Sequence, residues 1–364
     1  MKLTSLLLRL FLPLVCINLA VLVIASAAGR LIPPNDQLVY GMMRPLHNHL
    51  VSYVVTADLE RNLTAPLTAL DSLRSIPVYS PDGTWLAFVG SIGGQSGLYV
   101  TDDPLQQPRL LLADVLSSEP AWSPDSRWLA VRVGQSGTPR TALVEAATGE
   151  HYLVNETGST DADPIWSPDG KSIVYVSYRD GNPRLYAVDV QCLNTPRGCR
   201  ANERLLLRSA ILYGQPSWSP DGRWLAFSRR LSGTSQMFTA QAACPEVAPE
   251  CMLGLDFIGN SLMEEDSPTW SPDGRLLAYR SGLSRIYLAD PETRAVRPLL
   301  AGLGGIGAFT WSPDSTQIAV LTIGQRDRSS IWLIDVATSN RSLLLQIPFP
   351  LAGLQWQTGA SSGQ

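Results

Sequence analysis

The chain has few of the residues on which most catalytic sites depend. Its 364 residues include three histidines, and they contain no Gly-x-Ser-x-Gly pentapeptide, phosphate-binding P-loop or dinucleotide-binding glycine pattern. The segment Gly94–Gly97 comes near the pentapeptide but lacks its glycine spacing. His47 and His49 are too few for a metal site without a third ligand, and His151 stands apart from them. We therefore expect no catalytic residue, metal or cofactor of these common kinds.

Charged residues are also scarce, and basic residues do not predominate. Charged residues make up 16% of the chain, hydrophobic residues 45%, and the formal net charge is −4. Because a nucleic-acid-binding surface needs an excess of lysine and arginine, we expect no nucleic-acid partner. Glycine and proline are plentiful, with 29 and 27 residues, which is typical of a fold with many turns.

The first thirty residues differ from the rest of the chain. Two basic residues precede an uncharged run over residues 10–28, which would span about 28 Å as a helix, close to the thickness of a bilayer core. Positive charge ahead of the run places the N-terminus in the cytoplasm and the remainder outside it. Because Ala25–Ala27 resembles a signal-peptidase site, residues 1–30 are a signal anchor or a cleaved signal peptide. We favour the anchor, since the run is long for a signal peptide.

One short motif recurs through the chain. Six copies of an aromatic residue followed by Ser-Pro-Asp and then Gly or Ser begin at Tyr79, Trp122, Trp166, Trp218, Trp270 and Trp311. A seventh aromatic residue, Trp356, keeps the position but not the turn. The steps between successive aromatics are 43, 44, 52, 52, 41 and 45 residues. A period of about 40–45 residues with several short strands per unit is typical of a β-propeller.

The repeat around Trp122 indicates how one unit is built. Ala121 and Trp122 end a first strand, proline presets the turn that follows, and the aspartate side chain caps it. Alternating stretches at 128–133, 142–145 and 151–154 predict the second, third and fourth strands. The motif aspartates are Asp82, Asp125, Asp169, Asp221, Asp273 and Asp314. A carboxylate ring that binds a metal is the alternative to their role in turns, and we expect the tryptophans to pack between blades.

The two long repeats carry four of the five cysteines. Cys192 and Cys199 lie in one of them, and Cys244 and Cys251 lie in the next at the same spacing. In an oxidising compartment this pattern predicts two local disulfides, each stabilising its loop by about 2.5 kcal/mol on the chain-entropy model. A zinc site of four thiolates is the alternative, although it lacks the usual two-residue spacing between cysteines.

The two ends of the repeat region together predict one further blade. Ahead of the first motif the sequence predicts three strands that resemble the second, third and fourth strands of a blade. The strand that resembles the first one lies at the other end, after the last repeat. These segments are residues 37–40, 49–55, 62–66 and 351–356. Joined, they would close the ring and remove its open edge, with Leu354 opposite Leu38 or Val39.

The chain therefore divides into four parts. We predict an all-β propeller of seven four-stranded antiparallel blades over residues 36–357, preceded by one hydrophobic helix within residues 1–30 and a linker at 31–35. Residues 358–364 are expected to form a flexible tail. A six-bladed ring with extra terminal strands is the alternative.

The predicted topology gives the ring two different faces. First strands run toward the Ser-Pro-Asp turns, which define the turn face, and they begin at the opposite, distal face. Because the chain also joins the ring at the turn face, we expect that face to look toward a membrane. Carboxylates that precede first strands and arginines that end second strands would meet at the distal face. This candidate binding rim consists of Glu119, Asp161, Asp163, Glu264, Glu265, Asp266, Arg132, Arg179, Arg230 and Arg280.

The rim and the channel favour binding over catalysis. An acidic rim suits a cationic ligand, a metal ion or a basic peptide segment, whereas solvated loops with local ion pairs are the structural alternative. The channel-lining positions beside the motif are mostly small or apolar. They are Pro77, Val78, Ala121, Ile165, Ser217, Thr269 and Phe309.

The repeats resemble those of a known family. The Trp-Ser-Pro-Asp-Gly turn, the alternating strand after it and a later strand such as Leu98–Val100, Leu185–Ala187 or Ile286–Leu288 are similar to the WD40-like PD40 repeats of TolB β-propellers. Similar blades occur in the propellers of the dipeptidyl-peptidase IV and prolyl oligopeptidase families. The resemblance covers about residues 36–357, and it implies a propeller that binds other proteins outside the cytoplasm.

Two classes of function follow. The first, which we favour, is a non-catalytic interaction scaffold in the periplasm or at the cell surface, attached to a membrane through residues 10–28, with a protein or peptide partner at one mouth of the propeller. The second is a hydrolase or lyase with its site in the central channel, or a propeller that senses a ligand there.

Overall fold

The computed structural model of the chain is a ring of seven antiparallel sheets. It describes residues 37–46, 49–59, 63–102, 107–116, 119–134, 139–154, 161–179, 181–190, 203–207, 215–231, 233–242, 256–257, 263–324 and 328–356. Within these ranges every element is a strand. None of the described segments is a helix long and apolar enough to cross a membrane. The seven-bladed, all-β prediction is confirmed.

The strands follow the chain around the ring, and we number the blades in that order. Blade 1 contains β1 (Gln37–Leu46), β2 (His49–Asp58), β3 (Leu63–Leu70) and the C-terminal strand β29 (Leu351–Trp356). Blade 2 contains β4 (Ser72–Leu73), β5 (Val78–Tyr79), β6 (Leu86–Ile92), β7 (Gln95–Thr101) and β8 (Arg109–Ala113), with β4 and β5 both paired to β6. Blade 3 contains β9 (Ala121–Trp122), β10 (Trp128–Val133), β11 (Arg140–Glu145) and β12 (His151–Leu153).

The other four blades each have four strands in sequential order. Blade 4 contains β13 (Asp161–Trp166), β14 (Ser172–Ser177), β15 (Arg184–Asp189) and β16 (Glu203–Leu207). Blade 5 contains β17 (Ser217–Trp218), β18 (Trp224–Leu231), β19 (Thr234–Gln241) and β20 (Asp256–Phe257). Blade 6 contains β21 (Glu265–Trp270), β22 (Leu277–Ser281), β23 (Arg285–Ala289) and β24 (Val296–Ala301). Blade 7 contains β25 (Gly305–Trp311), β26 (Gln317–Ile323), β27 (Ser329–Asp335) and β28 (Arg341–Ile347).

The C-terminal strand closes the ring, as predicted. Leu38 lies opposite Trp356 and Val39 lies opposite Gln355. A bulge follows Val39 in this ladder, and Leu354 pairs with neither Leu38 nor Val39. The closure is therefore confirmed, but its register differs from the predicted one. Leu354 is buried in the cluster that also contains Leu38 and Trp356.

The closing strand is also fixed to blade 2. The side-chain oxygen of Gln355 accepts a hydrogen bond from the backbone N–H of Tyr79 at 2.8 Å. Gly353 has a φ of 65°, and a Cβ atom at this position would lie 2.2 Å from Cγ1 of Ile76. A positive φ and so close an approach both require glycine. The seam between the first and last parts of the chain therefore depends on a residue without a side chain.

The six motif turns share one hydrogen-bond pattern. In each, the serine hydroxyl donates to the aspartate Oδ1 at 2.5–2.6 Å, and the same Oδ1 accepts the backbone N–H two residues later at 3.0–3.1 Å. The serine oxygen also accepts the backbone N–H five residues later at 2.8–2.9 Å. The prediction that these aspartates close turns is confirmed.

Two of the turns have serine where the other four have glycine. Ser126 and Ser315 have φ values of 61° and 62°, a conformation that is strained for residues other than glycine. Their hydroxyls accept hydrogen bonds from the backbone N–H groups of Asp82 and Asp273, each in the preceding motif, at 3.1 Å. At these two positions the strain is accompanied by a bond between neighbouring blades.

The motif tryptophans join each blade to the preceding one, as predicted. Four indole N–H groups donate to backbone carbonyls at 3.0–3.1 Å: Trp122 to Val78, Trp166 to Ala121, Trp270 to Ser217 and Trp311 to Thr269. The indole N–H groups of Trp218 and Trp356 are buried without such a partner among the described residues. The ring at this position therefore packs between blades and, in four cases, also tethers them.

Several predictions concern residues outside the described ranges. They are the hydrophobic helix within residues 1–30, the linker at 31–35, the disulfides formed by Cys192, Cys199, Cys244 and Cys251, and the tail at 358–364.

Candidate functional site

A cavity of about 740 Å³ occupies the centre of the ring. Six blades contribute to its wall, from Leu354 and Gln355 of blade 1 to Phe309 of blade 7, and Glu119, just ahead of blade 3, lines it as well. Of the predicted channel positions, five line the cavity, namely Val78, Ile165, Ser217, Thr269 and Phe309, whereas Pro77 and Ala121 are not among the lining residues. Polar and apolar surface contribute nearly equally to the wall, with hydroxyl and amide groups between the apolar side chains. Among the described lining residues Glu119 and Arg280 are ionisable.

Arg280 is held by groups of blades 6 and 7. Its Nε and Nη2 donate to Oδ1 and Oδ2 of Asp266, both at 2.8 Å, and Nη1 donates to the carbonyl of Ile306 at 2.9 Å. The two side chains are 24% and 15% exposed, so water weakens this bidentate pair less than it would weaken a surface pair. Arg280 is therefore a charge-compensated part of the wall.

Glu264 and Glu265 lie beside the N-terminal half of β19. Among the described residues, no fourth strand of blade 5 pairs with this half. β20 pairs only with Phe238 and Thr239, at the other end of β19. The Glu265 carboxylate is fully buried, and its Oε2 accepts the backbone N–H of Met237 at 2.8 Å. Oε2 of Glu264 accepts the backbone N–H of Ser235 at 3.0 Å. The two carboxylates thus occupy the hydrogen-bonding positions that an outer strand would use.

These bonds change the electrostatics of the seam between blades 5 and 6. Hydrogen bonding from Ser235 holds the pKa of the Glu264 carboxyl below its ordinary value. Burial raises the pKa of the Tyr279 phenol, and the negative charge of Glu265 raises it further. Glu265 therefore lies in an enclosed environment and not on an open rim.

The described side chains of the other rim arginines make separate local contacts. Arg179 makes a bidentate pair with Glu203 at 2.5 and 2.7 Å, and its guanidinium lies 4.0 Å from the ring centre of Tyr186. Arg132 donates to the carbonyl of Leu116 at 3.1 Å, and Arg230 is exposed and donates to Gly233 at 3.3 Å. Asp161 and Asp163 lie in β13. The structure thus places local ion pairs and caps at many of the predicted rim positions.

The sequence features that hinted at an enzyme belong to ordinary strands. Ser96 lies in the hairpin of β6 and β7, on an exposed position of β7. His151 is exposed on the outer strand β12. No group of three or more His, Cys, Asp or Glu residues that could hold a metal occurs in the part of the chain that the structure describes.

Two features of the distal face were missed by the sequence analysis. The first is the edge-capping role of Glu264 and Glu265, for which the sequence offers no local pattern. The second is a set of exposed apolar side chains, Met263, Leu283 and Ile323, around a glycine-rich segment. The run of glycines at 302–307 could have indicated this region, because glycine leaves backbone open to a partner.

Solved structures of similar fold include TolB from Acinetobacter baumannii, with a TM-score of 0.51, 17% identity, and coverage of 88% of this chain and 82% of that one. The periplasmic gluconolactonase PpgL of Pseudomonas aeruginosa gives a TM-score of 0.60 and 15% identity, covering 89% and 99%. A structure from a study of two prolyl endopeptidases gives a TM-score of 0.65 and 16% identity, covering 88% of this chain and 49% of that one. The chain thus spans about half the length of that endopeptidase. At such identities the likeness shows the fold alone.

The sequence itself also matches a known family. None of the curated proteins matches the chain. Residues 54–203 match the family PD40, described as the TolB beta propeller domain. The resemblance to TolB-type PD40 repeats is therefore confirmed.

Proposed function

We propose that this chain is a non-catalytic, extracytoplasmic interaction scaffold that binds a protein or peptide segment at the mouth of its central cavity. The observation that carries the proposal is the composition of the cavity wall. Six blades and Glu119, just ahead of blade 3, line a space of about 740 Å³, and apolar, hydroxyl and amide side chains predominate in its wall. Such a wall suits recognition of a polypeptide segment, which offers both apolar side chains and backbone hydrogen-bonding groups.

The ionisable groups of the wall have roles that fit binding. Arg280 is occupied by Asp266 and by the carbonyl of Ile306. The Glu119 carboxylate lines the cavity and would attract a cationic side chain of the ligand. Ser217 and Thr269 also line the cavity, and their hydroxyls would bond a ligand backbone. Asp161 and Asp163 remain rim candidates by their position in β13.

We further propose that residues 10–28 attach the chain to a membrane, with the propeller outside the cytoplasm. The uncharged run, the basic residues ahead of it and the two cysteine pairs support this placement. One protein of similar fold, the gluconolactonase from Pseudomonas aeruginosa, is periplasmic. In that compartment Cys192 with Cys199, and Cys244 with Cys251, would form disulfides.

Affinity purification from detergent-solubilised native membranes tests the proposal. The wild-type chain is compared with Ser217→Trp, which places a large ring in the cavity, and with Leu343→Ser on the outer strand β28 as a control. We expect the wild type and Leu343→Ser to retain the same partner and Ser217→Trp to lose it. A partner that all three retain equally would contradict a cavity site. A chain without a partner that turns over a substrate in a hydrolase and lyase screen would support the channel enzyme instead.

A separate variant tests whether the Glu119 carboxylate attracts a cationic ligand. Glu119→Gln removes the charge while keeping the size of the side chain, so it should weaken partner binding if the ligand is cationic. An unchanged yield of partner would show that the carboxylate only takes part in local contacts.

A further inference from the structure

The distal face carries an apolar surface beside the central cavity, on blades 6 and 7. We propose that this surface is a docking site for an acidic segment of a partner protein with an apolar residue at its centre. We call it the shoulder, and it consists of Met263, Leu283, Arg285, Ile323 and Arg328. The inference is independent of the ligand proposed for the cavity, because none of these five residues lines it.

The shoulder is one continuous surface. The carbonyl of Leu283 accepts the backbone N–H of Ile306 at 2.7 Å, and Gly305, next to Ile306, lies opposite Ile323 in the β25–β26 ladder. The backbone around Leu283, the segment Gly305–Ile306 and the end of β26 therefore run side by side. Two strand spacings then place the Cα atoms of Leu283 and Ile323 about 10 Å apart. Met263 lies against Gly282, where a Cβ atom would be 3.1 Å from its sulfur.

The apolar side chains of the shoulder are unusually exposed. Leu283 is 79% exposed, Ile323 46% and Met263 40%. Between Leu283 and Ile323 the chain has glycine at 304, 305 and 307, and a Cβ atom at Gly307 would lie 3.3 Å from Cδ1 of Ile323. These glycines leave the strip between Leu283 and Ile323 with few side chains of its own, and the Ile323 side chain packs over Gly307.

The positive charges of the shoulder indicate which kind of partner would bind there. Elsewhere on the distal face, Arg179 and Arg280 are paired with carboxylates. Arg285 donates to the sulfur of Met263 at 3.4 Å, and the carbonyl of Arg328 accepts the backbone N–H of Gly324, next to Ile323, at 2.7 Å. Among the described residues neither guanidinium has a carboxylate partner. Two guanidinium groups that pair with no carboxylate in the described part of the chain, beside exposed apolar side chains, favour an acidic, apolar segment.

The same features fit a protein better than a lipid surface. The chain has a formal net charge of −4, and Glu264 is exposed on the same face, so an anionic membrane would be repelled overall. A short protein segment covers a much smaller area than a membrane, so its acidic residues can lie at the two arginines. We therefore assign the shoulder to a protein partner.

A phage-displayed library of short random peptides, selected on the full-length protein in detergent, provides the probe. We expect selected peptides to combine Asp or Glu with a central Leu or Phe. The peptide most enriched is then synthesised with a fluorophore and titrated by fluorescence polarisation. Leu283→Ser should weaken its binding roughly tenfold, because a buried leucine side chain is lost from the interface.

Further variants separate the shoulder from other surfaces. The double charge reversal Arg285→Glu with Arg328→Glu should weaken binding at least as much as Leu283→Ser and reverse the sign of its salt dependence, because like charges would then face each other. Leu343→Ser, on the outer strand of blade 7, and Ser217→Trp, in the cavity, should leave peptide binding unchanged. All substituted side chains of the shoulder are exposed, so unchanged melting temperatures are expected.

Three outcomes would overturn the inference. The first is peptide binding that is the same in wild type, Leu283→Ser and the charge-reversed variant. The second is a dimer in analytical ultracentrifugation that disappears in Leu283→Ser, which would assign the shoulder to a second copy of the chain. The third is Leu283-dependent binding to phosphatidylglycerol vesicles without peptide binding, which would assign it to lipid.

Discussion

The turn face and the distal face of the ring are built on different principles. At the turn face six turns repeat the same three hydrogen bonds, and the bond lengths vary by 0.1 Å from blade to blade. At the distal face each blade differs: an ion pair in blade 6, a pair of carboxylate caps between blades 5 and 6, and glycines in blade 7. Repeated residues thus form the scaffold, and unrepeated residues give the molecule its individual surface.

The difference has a physical cause. A turn needs contacts within five residues, so one short motif specifies it wherever it occurs. At the distal face the contacts join residues far apart in sequence, such as Glu265 with Met237. Such contacts vary from blade to blade without disturbing the turns.

The largest effect is expected where the two ends of the chain meet. Gly353→Ala should lower the free energy of unfolding by about 3 kcal/mol, because the new Cβ atom would combine a strained φ with a clash against Ile76. Urea denaturation measures the change. Gly94→Ala is the matched control, since Gly94 also has a positive φ, of 80°, but faces open space. Equal losses in the two variants would contradict the role of close packing at the seam.

The second-largest loss of stability is expected when the carboxylates of Glu264 and Glu265, between blades 5 and 6, are removed. Glu265→Ala should cost about 2 kcal/mol, because the buried N–H of Met237 would lose its acceptor. Glu265→Gln should cost less, since an amide oxygen can still accept. Hydrogen exchange at Met237 should accelerate in the alanine variant. The exposed Glu292→Ala serves as the control, and an equal loss there would argue against edge capping.

The tryptophans allow a comparison within the repeated scaffold itself. Trp270→Phe and Trp218→Phe remove the same atoms, but only Trp270 donates its indole N–H to the preceding blade, at 3.1 Å. We therefore expect Trp270→Phe to be more destabilising by about 1 kcal/mol. Thermal and urea unfolding of both variants provide the measurement, and equal destabilisation would show that ring packing alone accounts for the motif.

The smallest expected effect is a loss of folding stability at low pH. The hydroxyl of Ser167 and the backbone N–H of Lys171 hold the pKa of Asp169 below its ordinary value, and Ser312 and Thr316 do the same for the pKa of Asp314. A carboxyl whose pKa falls on folding stabilises the protein above its unfolded pKa, and this contribution is lost as pH falls through the folded value. Stability should therefore decline below about pH 4. Urea denaturation across pH measures it.

The control for this pH dependence keeps the turns while removing the charge. Asn at positions 169 and 314 still offers an oxygen to the turn but does not titrate in this range. The double variant should show a shallower decline in acid than the wild type. An identical pH profile would mean that the decline arises elsewhere in the chain.

The sequence was informative where contacts are local and regular. The turns, the inter-blade tryptophans and the closing strand were all predictable from spacing and alternation. The register of closure was not, because the bulge after Val39 depends on how two distant strands meet. The roles of Glu264 and Glu265 were missed for the same reason, because these carboxylates bond the backbone of residues 29 and 28 positions earlier in the chain.

The closing strand also determines how the ring would bear a mechanical load. β1 begins at the turn face between β29 and β2, with ten paired positions on one side and four on the other. A pull on the chain ahead of Gln37 acts along β1, so the hydrogen bonds on both sides are loaded together in shear and do not open one at a time. The strand that would bear this force, β1, is thus paired on one side with the next strand of the chain and on the other side with the last strand.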